Sequence, residues 1–92
     1  TLNMRHVVWK TRCERGLKRM IERGKNREEF LGVVGLLRRD GRVPIQHRPH
    51  KLQGKWIGFW ECHIESNWLL IYSVTDKEVL LVRTGTHADL FE

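Results

Sequence analysis

The chain has 92 residues, 40% of them hydrophobic and 30% charged, which is enough for one modest core and excludes two independently folded domains, so residues 1–92 are expected to form a single domain. Its 17 Lys and Arg against 11 Asp and Glu give a net charge of +6, so a polyanion is the natural partner, against the plainer reading that a basic surface only keeps a small protein soluble. No run approaches the roughly 20 consecutive apolar residues of a membrane span, and residues 1–9 lack the apolar stretch of a secretory signal; a cytoplasmic protein with no membrane partner is expected.

Residues 5–9 lean apolar and suit a first strand. Thr11 precedes Glu14 by three positions, the spacing of a reciprocal helix cap, and a helix is expected over about residues 12–23. Cys13, Leu17, Met20 and Ile21 share one face of it, while Arg12, Arg15, Lys18, Arg19 and Arg23 crowd the other. That cationic face either meets phosphates or an acidic partner, or is an ordinary solvated surface. Gly24 ends the helix, and Asn26 with Glu29 opens a second whose Phe30, Val33, Val34 and Leu37 repeat the helical period until Asp40-Gly41. The two helices are expected to form a hairpin against one face of a sheet. Cys13 and Cys62 fit reduced thiols serving as small core residues, not a disulfide framework.

Residues 42–54 show no period, and Pro44 and Pro49 forbid a regular element, so a long functional or mobile loop is expected there. Strands are expected over residues 55–64, 68–74 and 79–84, joined by turns at Glu65-Ser66 and Asp76-Lys77. The middle one is apolar on both faces and should be central. The result is an α+β fold with a small, mostly antiparallel, four-stranded sheet.

Tight turns would set Glu61 opposite Leu70 and Leu70 opposite Arg83, so that Glu61, His63 and Arg83 leave the sheet on one side, with His50 and His87 at the rim. Such a set suits cleavage of RNA through its own 2′-hydroxyl, which needs a base, an acid and a cation at the phosphorane. Histidines near neutrality supply the first two, and an arginine supplies the third. Trp68 and Phe91 are candidates for stacking on an unpaired base, with Glu61 beside them at the substrate. Against this stand plainer readings: Glu61 and Arg83 as a cross-strand ion pair, Trp56, Phe59 and Trp60 as core, and His6 and His47 as surface residues. His47, His50, Cys62 and His63 are metal-ligating types, but a proline between the first two and the strand position of Cys62 argue against convergence, and no metal or other cofactor is expected.

The segments His50-Lys51-Leu52-Gln53-Gly54-Lys55-Trp56, Glu61-Cys62-His63-Ile64, Trp68-Leu69-Leu70-Ile71-Tyr72 and Arg83-Thr84-Gly85-Thr86-His87-Ala88-Asp89-Leu90-Phe91, in this order, resemble the YafQ branch of the RelE-type bacterial toxins. The resemblance implies a fold similar to microbial ribonucleases. It also implies a metal-independent endoribonuclease of a type II toxin–antitoxin pair that cleaves mRNA in the ribosomal A site. Such a toxin is silenced by a cognate antitoxin, and meets DNA only indirectly through the toxin–antitoxin complex. Carried over by position, the family's functional residues fall on His50, His63, position 67, Arg83, His87 and Phe91. Similar toxins carry aspartate at position 67, where this chain has Asn67. An amide keeps hydrogen-bond geometry but relays no proton. Either the histidines suffice, or Glu61 or Glu65 substitutes, or the chain is a catalytically weakened module that binds RNA, the ribosome or an antitoxin.

Overall fold

Apolar alternation and two helical stripes fold into a five-stranded sheet with helices on both faces. The computed structural model describes residues 4–91; Thr1 to Asn3 and Glu92 lie outside them. In chain order the elements are β1 (His6–Trp9), α1 (Thr11–Glu22), α2 (Arg27–Asp40), β2 (His50–Lys51), β3 (Trp60–Glu65), β4 (Trp68–Val74), β5 (Glu78–Gly85) and α3 (His87–Phe91). The strand order is β1-β5-β4-β3-β2, with β1 parallel to β5 and every other pair antiparallel. No helix among the described residues is long and apolar enough to cross a membrane.

The helices form where the stripes place them. Phe30, Val33, Val34 and Leu37 are all buried on α2, Asn26 accepts a hydrogen bond from the Glu28 amide at 2.8 Å, and Gly41 stops the helix in the left-handed region at φ 75°. In α1, Cys13, Leu17 and Met20 are buried and Ile21 is half-buried. The expected Thr11–Glu14 cap does not form: Lys10 is the N-cap and Thr11 is the first helical residue. Lys10 instead donates its amide to the Leu81 carbonyl, so the end of β1 pairing with β5 decides where the helix starts.

Three further corrections concern elements too short to show a period. The sheet has five strands rather than four, because His50 and Lys51 pair with Glu61 and Trp60 inside the segment read as loop. The strand expected over residues 55–64 begins only at Trp60, because Gly54–Trp56 is a single 3-10 turn. The tail coils into α3, where Thr86 and Asp89 form the reciprocal cap: the Thr86 amide donates to Asp89 Oδ2 at 2.9 Å and the Asp89 amide to Thr86 Oγ1 at 3.1 Å.

Two apolar clusters hold the sheet. α1 and α2 cover one face, where Trp68, Leu70 and Tyr72 of β4 meet Phe30, Met20 and Leu37; Phe30 stacks between Trp9 and Trp68, at 5.5 and 6.1 Å between ring centroids. Leu69 and Ile71 point to the other face, where Leu90 of α3 and the loop residues Leu52, Trp56 and Phe59 cover them.

β1 ends opposite Leu81, and α1 takes over the flank of β5 beyond it. Gly16 makes this possible, since a Cβ there would collide with the Thr84 backbone carbonyl. α3 in turn is tied to α1 by Arg23, which grips Asp89 with two bonds of 2.7 and 3.2 Å. Arg23 and the Thr86 amide hold the Asp89 carboxyl well below the usual carboxylate range.

Two outcomes follow from these contacts. Gly16→Ala should lower unfolding stability by about 1–3 kcal/mol, read from the urea midpoint, because the obstruction is backbone and cannot rotate away. Asp89→Ala should lower it by about 1 kcal/mol near neutrality through the lost cap. Since the folded state lowers the Asp89 pKa, its contribution is present above the ordinary aspartate value and lost in acid. The difference between wild type and Asp89→Ala should therefore narrow as pH falls below about 4.

Candidate active site

The face opposite the two long helices carries the polar residues, and sheet parity puts them there. β3 and β4 pair Glu61 with Ile71 and His63 with Leu69, and β4 and β5 pair Ile71 with Arg83. Directly opposed residues share a face, so Glu61, His63 and Arg83 project to the side of Leu69 and Ile71. The expected partner of both Glu61 and Arg83 was Leu70. The register is displaced by one at each junction, the two displacements cancel, and the shared face survives. Irregularities between His63 and Glu65 and between Ile71 and Tyr72 accompany the displacement.

His50, on β2, sits opposite Glu61. Its Nε2 lies 3.2 Å from Glu61 Oε1 and its Nδ1 lies 3.2 Å from the Arg48 carbonyl. Glu61 is only 6% exposed, the sole buried ionisable carboxylate among the described residues, and with His50 against it the carboxylate is not open to substrate, contrary to the expectation. Both ring nitrogens of His50 face acceptors.

His63 differs. Its Nδ1 donates to the Ser66 carbonyl at 3.1 Å across the β3–β4 turn, which fixes the proton on that nitrogen and leaves Nε2 with a lone pair. His47 uses its own Nδ1 on the His63 carbonyl at 2.8 Å and so braces the strand from outside.

Asn67 accepts the His87 amide on Oδ1 at 3.1 Å, tying the turn to the start of α3. One helical turn on, the Phe91 ring lies 5.1 Å from the exposed His87 ring, and Phe91 is itself 38% exposed. Trp68, expected to stack on a base, is fully buried beneath the sheet. Its Nε1 donates to Thr84 Oγ1 at 3.0 Å, which donates onward to the Leu69 carbonyl at 2.6 Å. It belongs to the core, because parity sends it to the helix side.

Arg83 is half-buried and its Nη2 donates to the Asp89 carbonyl at 3.2 Å. Among the described residues it pairs with no carboxylate: the Asp89 side chain is taken by Arg23, and Glu61 by His50. Burial, then Arg12 and Arg19, push the guanidinium pKa down. Arg83 lines two adjoining cavities, of about 300 and 400 Å³, together with Arg12 and Trp56. Neither cavity reaches His50 or His63, so the residues share a sheet face and its rim rather than one enclosed pocket.

Sequence reasoning had left Arg12 on a helix face that either meets phosphates or an acidic partner or is solvated, had favoured the core for Trp56, and gave no role to Lys55 or Asp89. The Thr86-to-Asp89 spacing was the available sign of α3. The cysteines are free and buried, with both thiol pKa values raised to about 12 by burial, which removes them as nucleophiles. Among the described residues no three His, Cys, Asp or Glu side chains are grouped to hold a metal.

The chain is similar to the mRNA interferase toxin YafQ of Escherichia coli K12, with 49% identity over 49 residues, 53% of this chain and 53% of that protein. That alignment thus spans about half the length of the curated relative. The fold matches further: a crystal structure of YafQ from E. coli strain BL21(DE3) superposes with a TM-score of 0.89 at 31% identity, covering 96% of this chain and 99% of that one. The E. coli DinJ–YafQ toxin–antitoxin complex matches with a TM-score of 0.87 at 33% identity, covering 97% and 99%. The family model for the bacterial toxin YafQ of type II toxin–antitoxin systems matches residues 5–92, and the chain belongs to that family.

Proposed function

We propose that this protein is an endoribonuclease toxin that cleaves messenger RNA on the ribosome, in the A site, and is neutralised by a cognate antitoxin. Membership of the YafQ family and similarity to a protein named mRNA interferase support the class of activity. Similarity to the toxin in the DinJ–YafQ complex supports an antitoxin partner. The observation that carries the chemistry is the placement of His63 and Arg83 on one sheet face, opposite Leu69 and Ile71 of β4, with His63 Nδ1 donating to the Ser66 carbonyl.

In this reading His63 Nε2 takes the proton of the RNA 2′-hydroxyl. The freed oxygen attacks the adjacent phosphorus, and His87 protonates the departing 5′-oxygen. Arg83, with no carboxylate of its own, neutralises the pentacoordinate phosphate. His50, engaged by Glu61 and by the Arg48 carbonyl, is a positioning residue rather than the base. Phe91 stacks on a base beside His87. The products end in a 2′,3′-cyclic phosphate or a 3′-phosphate, because the nucleophile belongs to the substrate. DNA lacks that oxygen and should not be cut.

Asn67 fits this scheme as a positioning residue, since its carbonyl oxygen rather than a carboxylate receives the His87 amide. The amide leaves the imidazole of His87 without a nearby anion from this turn, which predicts slow turnover on an intact scaffold.

On translating ribosomes, His63→Gln and His87→Gln should each lower cleavage by about 100- to 10,000-fold, and Arg83→Ala by about 100- to 1,000-fold, while ribosome association persists. Undiminished cleavage by His63→Gln would remove it as the base. Asn67→Asp should raise cleavage by about tenfold, measured as the single-turnover rate, because a carboxylate beside His87 stabilises its protonated form.

A further inference from the structure

The two cavities that share Arg83 reach from Phe91, beside His87, to the start of α1, and apart from Arg83 and Phe91 the proposed reaction leaves their lining residues unused. Arg12, Trp56 and Arg83 line both; Lys10 stands at one end and Lys55 at the other. Asp89, the one carboxylate at the rim, is engaged by Arg23 at 2.7 Å and by the Thr86 amide. Among the described residues neither Arg12 nor Lys55 forms an ion pair. Cations brought together without a counter-ion repel one another: burial lowers the proton affinity of Arg83 most, and Arg12 and Arg19 lower it further. A bound anion would relieve that repulsion. The floor is aromatic: the half-buried Trp56 ring is braced edge-on by Phe59, at 5.8 Å between centroids and 83° between planes.

A guanidinium and an ammonium around an indole make a site for a phosphate joined to a planar base. An acidic peptide would use the cations but not the ring. We propose that this cavity is a nucleotide subsite for single-stranded RNA: Arg12 and Lys55 hold the phosphate next to the scissile one, and Trp56 stacks on that nucleotide's base. The proposal rests on the reading that Arg83 faces the scissile phosphate. α1 delivers Arg12 to this place because it occupies the flank of β5 beyond β1. The arginine-rich helix face thus becomes part of the substrate path.

The test is binding of a five-nucleotide RNA with 2′-deoxyribose at the scissile step, which cannot be cleaved, followed by fluorescence anisotropy across a salt series and by the Trp56 indole N–H resonance. Arg12→Ala and Lys55→Ala, both at exposed positions, should each weaken binding roughly tenfold at low salt and flatten the slope of log affinity against log salt by about 0.7–1. Lys18→Ala, on α1 but lining a different cavity, should leave the slope unchanged. An RNA whose adjacent phosphate is an uncharged methylphosphonate should bind wild type as weakly as it binds Arg12→Ala. The Trp56 resonance should shift with RNA and stay unmoved with hexaglutamate.

Equal losses in Arg12→Ala and Lys18→Ala would overturn the proposal in favour of a diffuse basic surface. Hexaglutamate binding tighter than RNA with the same dependence on Arg12 and Lys55 would overturn it in favour of a protein partner. Since the probe is not cleaved, a failed subsite appears in these titrations. A failed ribonuclease reading appears separately, as Arg83→Ala leaving mRNA cleavage unchanged.

Discussion

The parity of β4 is the constraint on which the arrangement depends. Trp68, Leu70 and Tyr72 fill the helix-side core while Leu69 and Ile71 fill the smaller one, and all are nearly or fully buried. Burying each of these side chains is worth about 1.5–3 kcal/mol, so a one-residue slip would trade whole clusters between faces and is strongly disfavoured. Glu61 and Arg83 are fixed to one face because both lie opposite Ile71. The polar site is therefore placed by apolar burial. Its hydrogen bonds only refine what the core has already decided.

The two faces are unequal, and function follows the thinner one. Two long helices fill one side. On the other, a 3-10 turn and the five-residue α3 cover Leu69 and Ile71 and leave a polar margin around them. A helix this short has little stability of its own. It stays in place through the burial of Leu90, the Thr86–Asp89 cap, the Asn67 bond to the His87 amide and the grip of Arg23. The last contact also has an electrostatic result. By drawing the Asp89 carboxylate toward α1, Arg23 leaves the Arg83 guanidinium, among the described residues, bound to a backbone carbonyl alone, as the proposed phosphate role requires.

What the sequence disclosed depended on element length. α1, α2 and the three long strands carry enough residues for a period to be visible, and the buried stripe of α2 matches residue for residue. β2 has two residues and α3 has five, too few for any period, so the first was read as loop and the second as tail. The shared face of Glu61, His63 and Arg83 was legible from alternation even though the register was off by one. Trp68 was not, because every residue around it on β4 is apolar and nothing local distinguishes the two sides. Arg12 was legible only as one of five cations on a helix face open to phosphates or solvent; its place beside Arg83 is set by where β1 ends, and only tertiary structure supplies that.

Asn67 separates two properties that an aspartate at this position would combine. One is geometric: an acceptor oxygen for the His87 amide, which keeps the β3–β4 turn joined to α3. The other is electrostatic: a negative charge that favours a protonated imidazole nearby. The amide supplies the first alone. The His50–Glu61 pair on β2 and β3 does not replace the second, because Glu61 is already committed to His50 and lies across the sheet from the tail. Glu65 is no substitute either, since Lys25 holds it at 2.7 Å and keeps its pKa low from the side of the turn facing α2. The chain therefore keeps the link between the turn and α3 without a charge at position 67, and in the proposed mechanism any proton delivered from His87 comes without a carboxylate at that position.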